Sequence, residues 1–177
     1  MRIVSGYLGG RTFQSPPGHR THPMSERLRG ALFSALGDIE GLTVLDAFSG
    51  TGALAFEAIS RGAASVLAIE IDRRAQDTIK ANIKSLGLHN KIRLISANCS
   101  SWSSNNEDAR FDLVFAAPPY DDLQLEVVNK ITKHVADDSI LVLDWPGKIA
   151  EPSFDGFKVV SQKNYGDAQL VFYQKVS

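Results

Sequence analysis

The sequence predicts an open α/β fold of seven mostly parallel strands with an antiparallel closing pair, preceded by a small N-terminal hairpin and helix. Three observations predict it. Thr43–Asp72 reads as strand, glycine-rich turn, helix, strand and acid, the first half of a nucleotide-binding α/β sheet. Short apolar runs then alternate with helical patterns as far as Asp144. Finally, Phe157–Ser161 and Gln169–Gln174 flank a turn at Tyr165-Gly166-Asp167.

Each element has a local reason. Met1–Ser15 alternates weakly through Ile3, Val4, Tyr7 and Phe13 around Gly9-Gly10, which reads as a β-hairpin, and Pro16-Pro17-Gly18 breaks it. His19–Pro23 reads as an exposed polar loop. Ser25 is placed to cap a helix running to about Leu36, with Leu28, Ala31, Leu32 and Ala35 as its apolar face and Arg27 and Arg29 beside that face. Gly37 closes this helix. Val44-Leu45 is the first core strand and stops at Asp46. A helix from Ala53 to Arg61 follows, ended by Gly62, and Val66–Ile69 is the second strand. A helix from Asp72 to about Leu86 ends at Gly87, and Ile92–Ile95 is the third strand. Ser100–Arg110 reads as polar loop, Phe111–Ala116 as the fourth strand, Asp121–Ala136 as a helix and Ser139–Leu143 as the fifth strand.

Composition narrows the class. At 177 residues and 44% hydrophobic, the chain is most simply one globular unit, divided into an N-terminal extension, residues 1–38, and a main domain, residues 39–177. No apolar run approaches the ~20 residues of a membrane span, and no signal peptide opens the chain. Cys99 is the only cysteine, so internal disulfides are excluded and a reducing, cytoplasmic setting is expected. One cysteine and four scattered histidines make no metal site, and a monomer is expected. Net charge is −1, yet residues 1–30 carry five arginines against one glutamate, a net of +4. Arginine's planar fork suits phosphate, so Arg2, Arg11, Arg20, Arg27 and Arg29, with His22 among them, are candidate RNA contacts. A merely basic solvated surface is the competing reading.

The glycine turn carries the chemistry. Gly50 and Gly52 let the backbone turn sharply at the carboxyl end of a parallel strand, where open α/β sheets bind ligands. Glu70 ends the second strand about 20 residues on, where an acid can hold two ribose hydroxyls. The residues from Gly50 read Gly-Thr-Gly-Ala-Leu-Ala, which is not the full phosphate-binding spacing. That weakens NAD or ATP and favours a nucleoside without a pyrophosphate, such as S-adenosylmethionine (SAM). Asp46 is then placed to receive the cofactor's ammonium. Asn98, just past the third strand, offers an amide to adenine N6 or N1, or else simply forms a turn; the sequence leaves both open. The cofactor-binding candidates are Asp46, Phe48, Gly50, Gly52, Glu70, Ile71, Asn98 and Cys99, Cys99 being expected to pack rather than react. At the end of the fourth strand, Ala117-Pro118-Pro119-Tyr120 cannot continue a ladder. The prolines make a rigid shelf with fixed carbonyls, and Tyr120 adds a ring on which a base can stack.

RIVSGYLGGR, HPMSERLRGALFSAL, LDAFSGTGALAFEAISRGA and the double-proline tetrapeptide together resemble the bacterial RsmD-like family of 16S ribosomal RNA guanine-N2 methyltransferases. The resemblance covers most of the chain in the same order. It implies a Rossmann-like class I methyltransferase domain that binds SAM and methylates the exocyclic amine of a guanine in 16S rRNA, free or in the assembled small subunit. It also implies that Asp46, Gly50 and Gly52 form the methionine-side loop, that Glu70 binds ribose and Asn98 adenine, and that Pro118, Pro119 and Tyr120 build the target-base pocket, the catalytic tetrapeptide. Two departures stand out. His22-Pro23-Met24 replaces the family's Arg-Pro-Thr, and Ala117 stands where the family has Asp or Asn. That side chain accepts an N–H of the amine, and removing such an acceptor costs about 3–4 kcal/mol, on the order of 10²–10³ in rate. Asp121, Asp122 and Asp144 are candidate substitutes for that acceptor, and nothing in the sequence shows any of them reaching the amine. On the sequence alone, methyl transfer is expected to be slow, with Ala117→Asp raising it about 10²-fold or more. The alternative is a SAM- and RNA-binding protein without catalysis. A methyltransferase acting on DNA adenine or protein glutamine fits less well, because the Arg-rich extension is present and no separate DNA-recognition domain is.

Overall fold

The computed structural model describes residues 1–18 and 23–177. Elements follow one another as α1 (Glu26–Leu36), β1 (Thr43–Asp46), α2 (Ala53–Ser60), β2 (Ser65–Glu70), α3 (Arg73–Leu86), β3 (Ile92–Ser96), α4 (Cys99–Asn105), β4 (Phe111–Ala116), α5 (Leu125–Ile131), β5 (Val135–Pro146), β6 (Phe157–Tyr165) and β7 (Ala168–Lys175). A 3₁₀ turn, Thr132–His134, joins α5 to β5. The strands make one sheet in the order β3-β2-β1-β4-β5-β7-β6. The first five pair in parallel, while β7 runs antiparallel to both β5 and β6.

Successive strand residues face opposite sides, and the two cores follow from that alternation. Val44, Leu113, Phe115, Val142 and Phe172 face one core, under α1, α2 and α3. Leu45, Val114, Leu141, Leu143 and Val171 face the other, under α4 and α5. The order places the topological switch between β1 and β4, which leave the sheet side by side: Asp46 is in register with Phe115. The turn after β1 and the segment after β4 therefore open on one edge, where such sheets bind ligands.

The structure departs from the sequence reading in four elements. Residues 1–15 close antiparallel through one bridge, Arg2 with Thr12, and form no strand. Their backbone turns to α2 instead: the Val4 and Ser5 amides donate to Glu57, at 2.9 and 3.3 Å, and the Leu8 amide to Ser60 Oγ at 2.9 Å. The approach is so close that a Cβ on Gly6, at φ +86°, would lie 1.9 Å from the Ser60 carbonyl oxygen. Much of the stretch expected as polar loop, Ser100–Arg110, instead belongs to α4, Cys99–Asn105. Asn98 Oδ1 caps it by accepting from the Ser100 and Ser101 amides, at 2.8 and 3.2 Å, and buried Trp102 anchors it. The helix expected over 121–136 is only Leu125–Ile131, because Val135 already pairs with Phe111 in the sheet. The fifth strand is correspondingly long, and Asp144 lies inside it rather than at its end.

Candidate active site

Four loops converge at the carboxyl edge. The turn after β1 is tied to its neighbours by backbone: Ala47 N–H donates to Phe115 O at 3.1 Å and Ser49 N–H to Ile69 O at 3.0 Å. Gly52 opens α2 in the left-handed region, φ +80°, and a Cβ there would meet the Phe56 ring at 2.9 Å. Glycine is required at this position by conformation and by packing together. Glu70 reaches back across the edge, its Oε2 accepting from Gly50 N–H at 2.6 Å and its Oε1 from Asp72 N–H at 2.9 Å. Burial holds the Glu70 carboxyl above its ordinary value, only partly offset by the amides of Asp72 and Gly50.

Asp46 is the anomaly of the site. Its side chain is fully buried, and among the described residues neither carboxylate oxygen has a hydrogen-bond partner. Ser49 Oγ donates to the Asp46 main-chain oxygen, at 3.0 Å, and not to its carboxylate. Burial pushes Asp46 up to about 7; the Ser49 hydroxyl and the Ala55 amide, near it but outside hydrogen-bond geometry, oppose the shift, and the Glu70 charge adds to it. An orphaned buried carboxylate calls for a cation. A ligand ammonium entering beside the glycine turn meets that demand, so the residues present fit the methionine end of SAM.

The other expected cofactor residues lie around this centre. Phe48 is half-buried in the turn, and Ile71 is 66% exposed directly after Glu70, an apolar surface open to a flat ligand. Asn98 is exposed beyond β3, and with Oδ1 committed to the helix cap it keeps only its amide N–H groups to donate. That suits adenine N1 and leaves N6 without an acceptor from this side chain. Cys99 is buried, and burial with the charges of Asp46 and Glu70 pushes its thiol up to about 12, which leaves it inert.

Ala117-Pro118-Pro119-Tyr120 leaves β4 beside the glycine turn. Pro118 is buried, whereas Pro119 and Tyr120 face outward. The Tyr120 hydroxyl donates toward Asp144 Oδ1, at 2.5 Å, and lies 3.2 Å from the Trp145 carbonyl oxygen, so its ring is held at a fixed tilt. Asp121 and Asp122 are exposed on the following turn.

The arginines divide. Arg2, Arg11 and Arg27 are exposed, Arg2 in an ion pair with Glu26 at 2.9 Å. Arg29, a candidate RNA contact from the sequence, is instead buried, its side chain 0% exposed. It hydrogen-bonds the Arg2 and Met24 carbonyls and lies 4.0 Å from Glu57, so it belongs to the core. Arg20 and His22 lie outside the described residues. Glu57 is a residue that sequence reasoning does not single out. A lone acid inside the apolar α2 pattern, four residues before Arg61, is the available signal. Among the described residues no group of three or more acids, cysteines and histidines gathers as for a metal ion, and no helix is long and apolar enough to cross a membrane.

Comparisons with known proteins agree with this geometry. The family model described as "Conserved hypothetical protein 95" matches residues 1–174. The Bacillus subtilis protein YlbH is 27% identical over 182 residues, covering 99% of each chain. Ribosomal RNA small subunit methyltransferase D of Escherichia coli K12 is 30% identical over 148 residues, covering 81% of this chain and 74% of that protein. The solved structure of Escherichia coli YhhF superposes with a TM-score of 0.89 at 28% identity, over 99% of this chain and 98% of that one. The sheet is the Rossmann-like sheet of class I methyltransferases. A family match along almost the entire length, the fold and the order of the turns reach one conclusion: this chain belongs to the RsmD family of ribosomal RNA methyltransferases.

Proposed function

We propose that the chain transfers a methyl group from SAM to the exocyclic N2 amine of a guanine in small-subunit ribosomal RNA. The observation that carries the reading is the orphaned Asp46 carboxylate, buried at the switch point and in strand register with the end of β4, from which the proline shelf departs. Bound SAM supplies an electrophilic methyl group on a sulfonium. Asp46 holds the ammonium of the donor, Glu70 its ribose hydroxyls, and the Asn98 amide its adenine N1, with Ile71 against the ring. Tyr120 stacks the target base, and the Pro118 carbonyl accepts one N–H of its amine. A base inside a helix cannot reach this edge, so the target nucleotide leaves its stack. Arg2, Arg11 and Arg27 hold the neighbouring phosphates.

The binding-only alternative draws no support from the fold or from the relatives. A test uses labelled SAM with small subunits, naked 16S rRNA and DNA in parallel, followed by digestion and mass spectrometry. The expected product is N2-methylguanosine at one position of the rRNA. Label in adenosine, in DNA or in protein would overturn the assignment.

A further inference from the structure

The proposed reaction needs a group that accepts an N–H of the target amine, because the amine's lone pair is delocalised into the ring until that N–H is held and turned. Position 117, which opens the shelf, carries only a methyl group. Another strand supplies the missing carboxylate. A narrow cleft between α1 and the carboxyl ends of β4 and β5 is lined by residues that include Met24, Leu32, Phe115, Ala117, Val142 and Asp144. Among the described residues lining it, Asp144 is the one with a titratable side chain. Asp121 and Asp122 do not line it.

The Asp144 side chain is also held in place. Oδ1 accepts from the Tyr120 hydroxyl, so the shelf itself fixes the carboxylate, while Oδ2 has no donor among the described residues. One oxygen anchored and one spare is the arrangement of an acceptor awaiting a ligand proton. We propose that Asp144 is the catalytic residue that accepts the N–H of the target amine, performing from β5 what Ala117 cannot perform from the shelf; this rests on the methyltransferase reading above. As the amine nitrogen bonds to the methyl carbon, the carbon–sulfur bond breaks and its electron pair passes to sulfur. The nitrogen, now cationic, gives one proton to Asp144 Oδ2, which then loses it to solvent. Burial pushes Asp144 up to about 6, against the Tyr120 hydrogen bond that pulls it down, so the group is ionised at neutral pH and still basic enough to take a proton. Tyr120 from the shelf is the titratable group that faces it, and Asp167 from the β6–β7 turn acts on Tyr120 in turn.

Single-turnover transfer to small subunits tests this, with SAM affinity measured by calorimetry and subunit affinity measured in parallel. Asp144→Ala is expected to lower the rate about 10²-fold or more, with SAM affinity within about twofold of the natural protein and subunit affinity falling by no more than loss of the target's 2-amino group would cause. Asp144→Asn, which can accept an N–H but not the proton, should fall less and should lose the acid limb expected of the natural protein near pH 6. Tyr120→Phe removes the anchor but keeps the ring and the carboxylate, and should cost less than about tenfold. Ala117→Asp should gain less than tenfold alone, yet restore Asp144→Ala by at least tenfold. Binding gives a separate readout. Without SAM, rRNA carrying inosine at the mapped target lacks the 2-amino group and should bind the natural protein more weakly than guanosine RNA, a difference that Asp144→Ala abolishes. Natural rates in Asp144→Ala, equal losses in Asp144→Ala and Tyr120→Phe, or a gain near 10²-fold from Ala117→Asp alone would each overturn the role of Asp144 while leaving the function standing. SAM binding without transfer by either the natural protein or Ala117→Asp would remove the function and this inference together.

Discussion

A buried carboxylate without a partner is a liability that a folded protein retains only where something external relieves it. Asp46 is such a group, raised to about 7 by burial. Because its folded value lies above its ordinary one, the folded state binds the proton more tightly. The stability that this one group contributes is therefore fully present below about pH 4 and is lost as pH rises through about 7. A bound ammonium reverses the preference by favouring the ionised form. Three outcomes follow at this residue. SAM affinity should fall as pH drops below 7. Calorimetric enthalpies at pH 6 should depend on the buffer's ionisation enthalpy, because binding releases a proton. Asp46→Asn should raise the melting temperature of the cofactor-free protein at pH 8 while weakening SAM binding, the trade expected where a site is strained for function. Glu70 makes a complementary case. It already accepts the Gly50 and Asp72 amides, so Glu70→Ala removes the proposed ribose partner and loosens the turn as well. A loss of about 1–3 kcal/mol in SAM affinity by calorimetry is expected, the range for hydrogen bonds to a charged group. Unchanged affinity would take Glu70 out of the site.

At the scale of elements, what is legible in the sequence is what local patterning decides. The strand, glycine turn, helix and acid over 43–72 appear as read because apolar period, glycine position and strand-end acid all agree locally. Helix α1 also appears as read, with Ser25 Oγ accepting from the Leu28 amide, but its buried side differs from the expected one. Arg29, Leu32 and Phe33 face inward, since the partner that makes a buried arginine tolerable, Glu57, lies 28 positions further on in α2. Helix α4 is illegible for the same kind of reason. Its serine-rich sequence favours turns, and what holds it is the Asn98 cap, the burial of Trp102 and a Ser103 Oγ to His134 Nε2 bond of 2.8 Å across 31 residues. The acceptor role argued for Asp144 depends likewise on β5 lying beside β4, which no local pattern states. Glu57 offers the test at this scale. It accepts the Val4 and Ser5 amides, pairs with Arg61 at 3.0 Å and faces buried Arg29. Removing it strands a buried cation, so Glu57→Ala should cost about 3–5 kcal/mol. Chemical denaturation should show that loss, and amide exchange should rise first in residues 1–15, whose backbone it pins. A variant as stable as the natural protein would mean that the N-terminal extension is held by its apolar packing alone.

For the molecule as a whole, the N-terminal extension joins charge to chemistry. Ile3, Leu8, Phe13, Leu32 and Phe33 share one core with the sheet, so the extension is fixed on the domain. Met24, just before α1, and Leu32 within it line the same cleft as Ala117 and Asp144. Arg27, three residues after Met24, and Arg2, paired with Glu26, thus lie on the side of the extension that borders the cleft, whereas Arg11 reaches the last turn of α3 and donates to the Ser85 carbonyl oxygen at 3.3 Å. The rest of the chain carries −5 against the +4 of residues 1–30, which favours docking through this face and disfavours the others. Arg11 and Arg27 are the cleaner probes, Arg11 holding only an exposed hydrogen bond to the Ser85 carbonyl oxygen, whereas Arg2 is paired with Glu26 and Arg29 supports the core. Replacing both with alanine should weaken rRNA binding and flatten the dependence of log affinity on log salt by about 0.7–0.9 for each phosphate that is no longer neutralised. Melting temperature and SAM affinity should hold, because neither side chain is buried or near Asp46 and Glu70. Arg29→Ala should do the reverse, lowering stability through the cavity it leaves in the core and the Arg2 and Met24 carbonyls it no longer satisfies, with little change in salt slope for the fraction that folds. If the double variant keeps the natural slope, the phosphates meet another face, and the route of the base into the cleft between α1 and β5 must be drawn from there.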